Sequence, residues 1–330
     1  MYKTKDVAVV ILNWNGVALL EQFMPSVIKC SSDATIYVID NASTDNSIPF
    51  LKTHYPHIKL IELQINGGYA KGYNDGLQAI TEPILCLLNN DVEVTDNWLT
   101  PVIEVFSGDS TTVIIQPKLL DYKDKTSFEY AGAAGGFIDK YGYPYCRGRI
   151  FNTIEKDKGQ YDDQKNILWA SGACFFIKNE TFKSLGGFDE TYFAHMEEID
   201  LCWRAYNQNL TVKYVGTSTV YHLGGGTLSN TSPKKTYLNF RNSLYTLIKN
   251  TDSHVLGRTL IRMLLDGVAA LRFLIKLQPK HFLAILKAHG SLYINLSRLL
   301  KLRKELPKRP NYYSVNSIVW LYFIKRKTHF

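Results

Sequence analysis

Four short apolar runs, Val7–Leu12, Thr35–Ile39, Ile58–Leu63 and Ile84–Leu88, punctuate the N-terminal part of the chain. Each is β-branched or continuously apolar, the pattern of a strand buried on both faces. Each gives way to polar turn residues and then to helical spacing, as at Ala18, Leu19, Leu20, Phe23, Val27 and Ile28. This rhythm predicts an α/β fold with parallel strands and crossover helices. The weakest pattern lies between Asp121 and Lys165, a stretch rich in Gly, Tyr, Asp and Lys that reads as a long excursion over a site. Further on, Arg258–Lys276 is amphipathic. At about 100° per residue, Arg258, Arg262, Asp266, Arg272 and Lys276 fall within an arc of roughly 120°. Leu260, Met263, Leu264, Val268, Leu271, Leu274 and Ile275 fill much of the rest. A bilayer span needs about 20 mostly apolar residues, and these charges interrupt any such run. Ser291–Leu302 and Ser317–Ile324, the latter followed by Lys325, Arg326 and Lys327, repeat the mixture of apolar and basic positions.

Composition narrows the class. With 330 residues, 45% of them hydrophobic, the chain can bury a sizeable core and hold more than one domain. The five cysteines, Cys30, Cys86, Cys146, Cys174 and Cys202, are scattered through mostly apolar runs with no C-x-x-C pair. Zinc and disulfide frameworks are therefore disfavoured, and reduced core thiols of a cytoplasmic protein are expected. Met1–Asp6 leads into the first run without the apolar stretch of a signal peptide. The formal charge of +8 divides unevenly: from Asn230 onward 19 Lys and Arg face 3 Asp and Glu, +16, which leaves 19 against 27, −8, in the residues before. An acidic body with a basic tail suits an anionic partner, here a membrane surface rather than nucleic acid. Packing on the body of the protein, or against a second copy in a homodimer, accounts for the apolar helix faces equally.

Ligands of open parallel sheets bind beyond the carboxyl ends of the strands, and here the residues after each run are polar. They are Asn13-Trp14-Asn15-Gly16, Asp40-Asn41-Ala42-Ser43-Thr44-Asp45, Asn66-Gly67-Gly68-Tyr69-Ala70 and Asn89-Asn90-Asp91. Turn formation and helix capping explain any one of these; four at one edge point to a binding site. The first lacks the G-x-G-x-x-G of a dinucleotide fold, which disfavours an oxidoreductase.

The stretches "VVILNWNG", "VIDNASTDNS", "NGGYAKGYNDGL", "LLNNDVEV", "GGFDETYFAHMEEIDLCWR" and "VYHLGGGT" follow one another between Val7 and Asn250. In that order they resemble the successive motifs of family 2 glycosyltransferases of the GT-A fold, in particular the bacterial rhamnosyltransferase-like group. The resemblance implies a mostly parallel central sheet flanked by helices. It implies a catalytic domain over residues 1–250, with a nucleotide-sugar-binding half to about 120 and an acceptor half from about 121, then a basic helical extension over 251–330. The implied activity is an inverting, metal-dependent transfer of a hexosyl or deoxyhexosyl group from a UDP-, dTDP- or GDP-sugar to a glycan acceptor. The acceptor is expected to be lipid-linked, and the setting to be surface polysaccharide synthesis at the inner face of the cell membrane.

In that chemistry a divalent cation, Mg2+ or Mn2+, neutralises the leaving nucleoside diphosphate. Asn89-Asn90-Asp91 stands at the family's D-x-D motif, with Asp91 at the metal-binding acid. Asn89 departs from the first acid and offers only a neutral carbonyl, to assist the metal or touch the ribose. His222 matches a further metal ligand of some relatives, with a structural histidine as the alternative; Gly224-Gly225-Gly226 behind it lets backbone approach a diphosphate. Asp40 matches the acid that reads base or ribose, with Asn41, Ser43 and Asp45 on the same turn and Asn13 and Asn15 at the neighbouring strand end. Asp45 serves equally as a helix N-cap. Gly67 and Gly68, with Lys71 and Asn74, match a donor-binding turn whose free backbone amides face an anion, Lys71 reading equally as a surface residue. Glu198 takes the place of the general base, Glu replacing the commoner Asp. Glu197 favours the helix N-terminus or contacts the acceptor. Asp200, four residues before Arg204, is an ion-pair partner by default and the other candidate base. Trp169–Gly172 and "GGFDE" shape the acceptor side, and Glu93 reads as a solvated turn residue. A non-catalytic nucleotide- or glycan-binding protein that keeps the fold is the rival that the altered D-x-D leaves open, with nucleotidyl transfer a weaker one.

Overall fold

The structure, a computed structural model, describes residues 1–224 and 232–330. Among these, nine strands form a central sheet: β1 (Val7–Asn13), β2 (Thr35–Asp40), β3 (Lys59–Glu62), β4 (Ile84–Asn89), β5 (Val92–Val94), β6 (Thr112–Asp121), β11 (Gln164–Ile167), β12 (Cys174–Lys178) and β13 (Thr211–His222). The weakly patterned excursion makes a second, antiparallel sheet of β7 (Gly136–Ile138), β8 (Pro144–Cys146), β9 (Arg149–Ile150) and β10 (Thr153–Ile154). Six helices accompany these strands: α1 (Val17–Cys30), α2 (Ser47–His54), α3 (Gly68–Gly76), α4 (Thr100–Gly108), α5 (Asn179–Ser184) and α6 (Glu197–Asn207). Four more, α7 (Pro233–Asn250), α8 (Val255–Ile275), α9 (Pro279–Glu305) and α10 (Ile318–Phe323), close the chain.

The strand order is β11-β13-β6-β12-β4-β1-β2-β3, with β5 paired to β13. β1 to β4, β6 and β13 run in one direction, and β5, β11 and β12 oppose them. The four apolar runs are thus β1 to β4, and the polar residues Asn13, Asp40 and Asn89 extend three of the ladders by one position. Successive side chains of β1 enter opposite layers. Val7, Val9 and Ile11 pack with Leu20, Met24 and Val27 of α1, whereas Ala8 and Val10 pack with Ala70 and Tyr73 of α3 and Ile199 of α6. Burial on both sides is why β1, β2 and β4 read as continuous apolar runs, whereas β3, at the edge of the sheet, exposes Lys59 and Glu62 and only half buries Leu60 and Ile61.

The last four helices are not an appendage. α7 packs along α9, and Leu292, Leu299 and Tyr312 belong to the same core as β1 and α3. Ile318 joins Tyr145 and Ile150 in a small cluster, and its N–H donates to Asp139 Oδ2 at 2.9 Å. The residues 251–330 therefore contribute to the body of the fold. The amphipathic helix expected over Arg258–Lys276 is present as α8, but Arg258, Arg262 and Asp266 are its buried charges and the leucines lie outside.

Candidate active site

Because six strands point one way, Asn13, Asp40, Asn89 and His222, at the ends of β1, β2, β4 and β13, share one edge of the sheet. β12 runs against them, so its start and the preceding Gly172 lie at the same edge; the Asn89 N–H donates to the Ala173 carbonyl at 2.9 Å. Three clusters of polar side chains gather there.

The first is built by β5, which pairs Val92 with His222 and so draws Asp91 onto the end of β13. Asp91 Oδ1 lies 3.1 Å from His222 Nε2, and both residues are buried. On the other side of the imidazole, Glu129 Oε1 lies 3.2 Å from Nδ1, although the angle is not that of a hydrogen bond. Burial alone would lower the imidazole pKa, but the charges of Glu129 and Asp91 outweigh it and raise the ring to about 10.

The second cluster links strand ends β1, β2 and β4. Asn13 Nδ2 donates to Asp40 Oδ2 at 3.2 Å, Asn90 Nδ2 donates to Asn13 Oδ1 at 2.9 Å, and the Ser43 N–H donates to Asp40 Oδ1 at 2.8 Å. Gly16 sits so close that a Cβ would meet Asn90 Nδ2 at 2.4 Å and Asn13 Oδ1 at 2.5 Å. A side chain there would push this pair apart.

The third cluster opens α6. Before it, Phe193, His195 and Met196 hold φ of 64°, 70° and 75°, a left-handed run that costs free energy in residues other than glycine. The Phe193 carbonyl is capped by the Tyr69 N–H at 3.0 Å, which docks this loop on α3. Glu198 stands beside Gly172, where a Cβ would lie 3.7 Å from the carboxyl carbon, and the Tyr69 hydroxyl donates to the Gly172 carbonyl at 2.9 Å. One carboxyl oxygen of each of Glu197 and Glu198, like His195 Nε2, is buried without a hydrogen-bond partner. Burial raises the Glu198 carboxyl to about 7 against the pull of nearby backbone N–H groups. Burial, then the neighbouring Glu198 charge, raises Glu197 well above the carboxylate range.

Other expected site residues are engaged elsewhere. Asp200 is wholly buried and accepts from Arg204 Nε at 2.9 Å, Lys249 Nζ at 3.0 Å and Asn250 Nδ2 at 2.8 Å, so the helical ion pair is what it forms. The Gly67 and Gly68 amides are not free for an anion: they donate to Asn41 Oδ1 at 3.3 Å and Asn66 Oδ1 at 2.9 Å. Asn41 Nδ2 in turn donates to Asn66 Oδ1 and to the Gly68 carbonyl, which makes it a brace of that turn. Lys71 pairs with Asp75 at 3.0 Å on the surface. Asn74 is spent on Phe188, donating to its carbonyl and accepting from its N–H, both at 2.9 Å. Asp45 caps two helices, accepting from the N–H groups of Val17 and Ser47 at 3.0 Å each. Asn15 Oδ1 accepts the Thr44 N–H at 2.7 Å and holds the same turn. Glu93 pairs with Lys125 at the surface. Gly225 and Gly226 lie outside the described residues.

Glu129, Tyr69 and His195 were not foreseen. His195 and Tyr69 sit inside quoted motifs, and their company could have marked them. Glu129 lies in the patternless excursion, with no signal in the sequence around it.

The pattern of glycosyl transferase family 2 matches residues 8–186, more than half of the chain. The N-acetylglucosaminyl-diphospho-decaprenol L-rhamnosyltransferase of Mycobacterium tuberculosis is 23% identical over 238 residues, covering 66% of this chain and 76% of that protein. Two solved structures share the architecture. GalNAc-T7, determined with UDP, GalNAc and Mn2+, superposes with a TM-score of 0.63 at 18% identity, covering 97% of this chain and 56% of that one. The mannosyltransferase PcManGT from Pyrobaculum calidifontis, in complex with GDP-Man and Mn2+, gives 0.54 at 13% identity, covering 91% and 84%. The motifs, the sheet order and these likenesses agree: the chain belongs to glycosyl transferase family 2, has the GT-A fold, and is a glycosyltransferase that uses a nucleotide-sugar donor.

Proposed function

We propose that the chain transfers a sugar with inversion, assisted by a divalent cation, from a UDP-, dTDP- or GDP-linked donor to a hydroxyl of a lipid-linked glycan acceptor in bacterial surface polysaccharide synthesis. The observation that carries this reading is the presence, at one sheet edge, of a desolvated carboxyl at Glu198 and the Asp91–His222 pair. A protein that only binds sugar or nucleotide has no need of a buried acid with a raised pKa. The name of the mycobacterial relative, with its diphospho-decaprenol acceptor, supports the lipid-linked part.

Asp91 and His222 would hold the cation, which would displace the proton that His222 Nε2 shares with Asp91. Their donor atoms stand 3.1 Å apart, close to the edge of about 3 Å expected for right-angled ligands with bonds near 2.1 Å. Among the described residues no three His, Cys, Asp or Glu side chains are grouped to hold an ion. Such a site suits Mg2+ or Mn2+, which take few protein ligands and fill the shell with phosphate and water. Bound there, the ion would neutralise charge on the leaving nucleoside diphosphate. Glu198 removes the proton of the acceptor hydroxyl as that oxygen attacks the anomeric carbon, and a pKa near the working pH suits a general base. Glu197, held protonated, offers an O–H to the acceptor. Asp40, Asn13 and Ser43 frame the base and ribose, and Asp200 fixes the helix that presents both glutamates.

Incubation with a panel of UDP-, dTDP- and GDP-sugars, with and without chelator, tests this. Chelator-sensitive transfer is expected, and NMR of the product should show the anomeric configuration opposite to the donor's. Retention, or turnover indifferent to chelator, refutes the mechanism.

A further inference from the structure

Along α8 the ordinary arrangement of an amphipathic helix is turned inside out. Its charged side chains before Arg272, namely Arg258, Arg262 and Asp266, are buried. They are also tied into the body of the protein: Arg262 Nε donates to Asp266 Oδ1 at 2.8 Å, Tyr143 Oη donates to the same oxygen at 2.8 Å, and Arg258 Nη1 donates to Tyr312 Oη at 3.1 Å. The helix cannot roll its apolar face inward without breaking these bonds. That face, Leu256, Leu260, Leu264, Val268, Leu271 and Ile275, forms one stripe of three- and four-residue steps, with Leu264 73% and Ile275 82% exposed. Trp320, Phe323 and Ile324 of the α10 region extend it, joined to the end of α8 where the Arg272 guanidinium lies 5.5 Å from the Phe323 ring centre. A monomeric soluble protein does not leave so long an apolar stripe in water without a partner for it.

The rim identifies that partner. Arg272, Lys276, Lys280, Lys325, Arg326 and Lys327 are all exposed, and the sequence holds no Asp or Glu between Asp266 and Glu305 or after Glu305. A second copy placed symmetrically on this face would oppose one cationic rim to another. An anionic lipid surface offsets that charge while its acyl boundary receives the leucines. No helix among the described residues is long and apolar enough to cross a membrane. We propose that this face rests on the anionic surface of a bilayer, with α8 lying in the interfacial plane. The rim also leads to the candidate active site. Lys280 lines a cavity of about 480 Å³ with Lys234, Tyr237, Leu283 and Lys287, and Lys234 Nζ lies 4.8 Å from the ring centre of Phe193, in the loop before Glu197. Delivery of a lipid-linked acceptor along this path rests on the proposed function; binding to the bilayer does not.

Flotation of the full-length protein with phosphatidylcholine vesicles, with and without phosphatidylglycerol, reads binding apart from catalysis. Binding to the anionic vesicles is expected, weakening as salt screens the rim. Leu264→Glu together with Val268→Glu should lower it at least tenfold. Replacing Lys325, Arg326 and Lys327 by Ala should lower it on the order of 100-fold, since each basic residue at an anionic surface contributes about fivefold. These side chains are exposed, and a thermal melt checks that the variants fold. Independently of them, brominated acyl chains should quench the wild-type fluorescence, and Trp320→Phe should remove most of that quenching. No binding by the wild type, binding unchanged in both sets of variants, or a dimer in sedimentation velocity that Leu264→Glu splits would each overturn the proposal. Vesicle binding without transfer to a lipid-linked acceptor sustains this surface and refutes the proposed function.

Discussion

Glu197, Glu198 and Asp200 occupy one turn of helix, and their surroundings give them three different chemistries. Asp200 has three cationic or amide donors and stays ionised; its pKa is lowered because Lys249 and Arg204 outweigh its burial. Glu198 has a buried oxygen with no partner and is raised from 4.5 to about 7. Glu198→Gln keeps the shape and removes the basicity, so transfer should fall about 10²-fold or more, with donor affinity by calorimetry unchanged. Normal transfer in that variant, with loss in a folded Asp200→Asn, would move the base to Asp200. The pH dependence has a definite sign. A raised folded pKa means that the native state holds a proton the unfolded chain releases, so this stabilisation is complete below 4.5 and is lost as pH climbs toward 7. Melts at pH 5 and pH 8 should therefore show Glu198→Gln gaining on wild type at the higher pH, while wild-type kcat/KM rises through about pH 7. At the other cluster, Asp91→Asn should leave the chain folded, with a lower melt because the buried His222 loses a charged partner, and abolish Mn2+-supported turnover. Full activity in that variant would remove Asp91 from the cation site.

At the scale of elements, α8 is held by a buried charge network rather than by its leucines. Arg262→Met leaves Asp266 wholly buried without its guanidinium, and breaking such a pair costs about 3–5 kcal/mol. Denaturant unfolding should show a loss of that order; a change below 1 kcal/mol would mean that Tyr143 suffices for Asp266. This helix also shows where sequence reading stops. Periodicity locates two faces and says nothing about which one the rest of the chain covers, because that depends on Tyr143 and Tyr312, far away in sequence. β1, β2 and β4 were legible because burial on both sides writes itself as a nearly unbroken apolar run, and β3, an edge strand, through apolar positions interrupted by the charged Lys59 and Glu62. β7 to β10 were not, since strands of two or three residues are too short for a period to appear. Through their motifs the sequence marks Asp91, His222 and Glu198 as candidates, and the structure brings them to one edge of the sheet. The Gly67 amide is taken by Asn41, which reaches it from another turn, a tertiary contact that no local pattern encodes, whereas the Gly68 amide is taken by Asn66 two residues before it, a local Asx turn.

For the whole molecule, the C-terminal helices matter to stability before any other role. A chain ending at Asp252 loses Leu292, Leu299 and Tyr312 from the principal core and uncovers α7. It should be insoluble or lack a cooperative melt, and a soluble fragment that still binds donor would show the catalytic region to be autonomous. The pairing of β5 with β13 has a kinetic corollary. Asp91 and His222, at opposite ends of a long loop, are brought together where this three-residue strand pairs with β13 and the Leu223 N–H donates to the Asp91 carbonyl. Closing such a loop is entropically slow compared with the local crossovers that align β1 to β4. During refolding the chain should thus acquire its secondary structure before it can take up a cation. In stopped-flow experiments Mn2+ uptake should coincide with the slowest phase, after the far-ultraviolet signal has recovered; uptake in the earliest phase would mean that this distant strand pair forms before the sheet it completes.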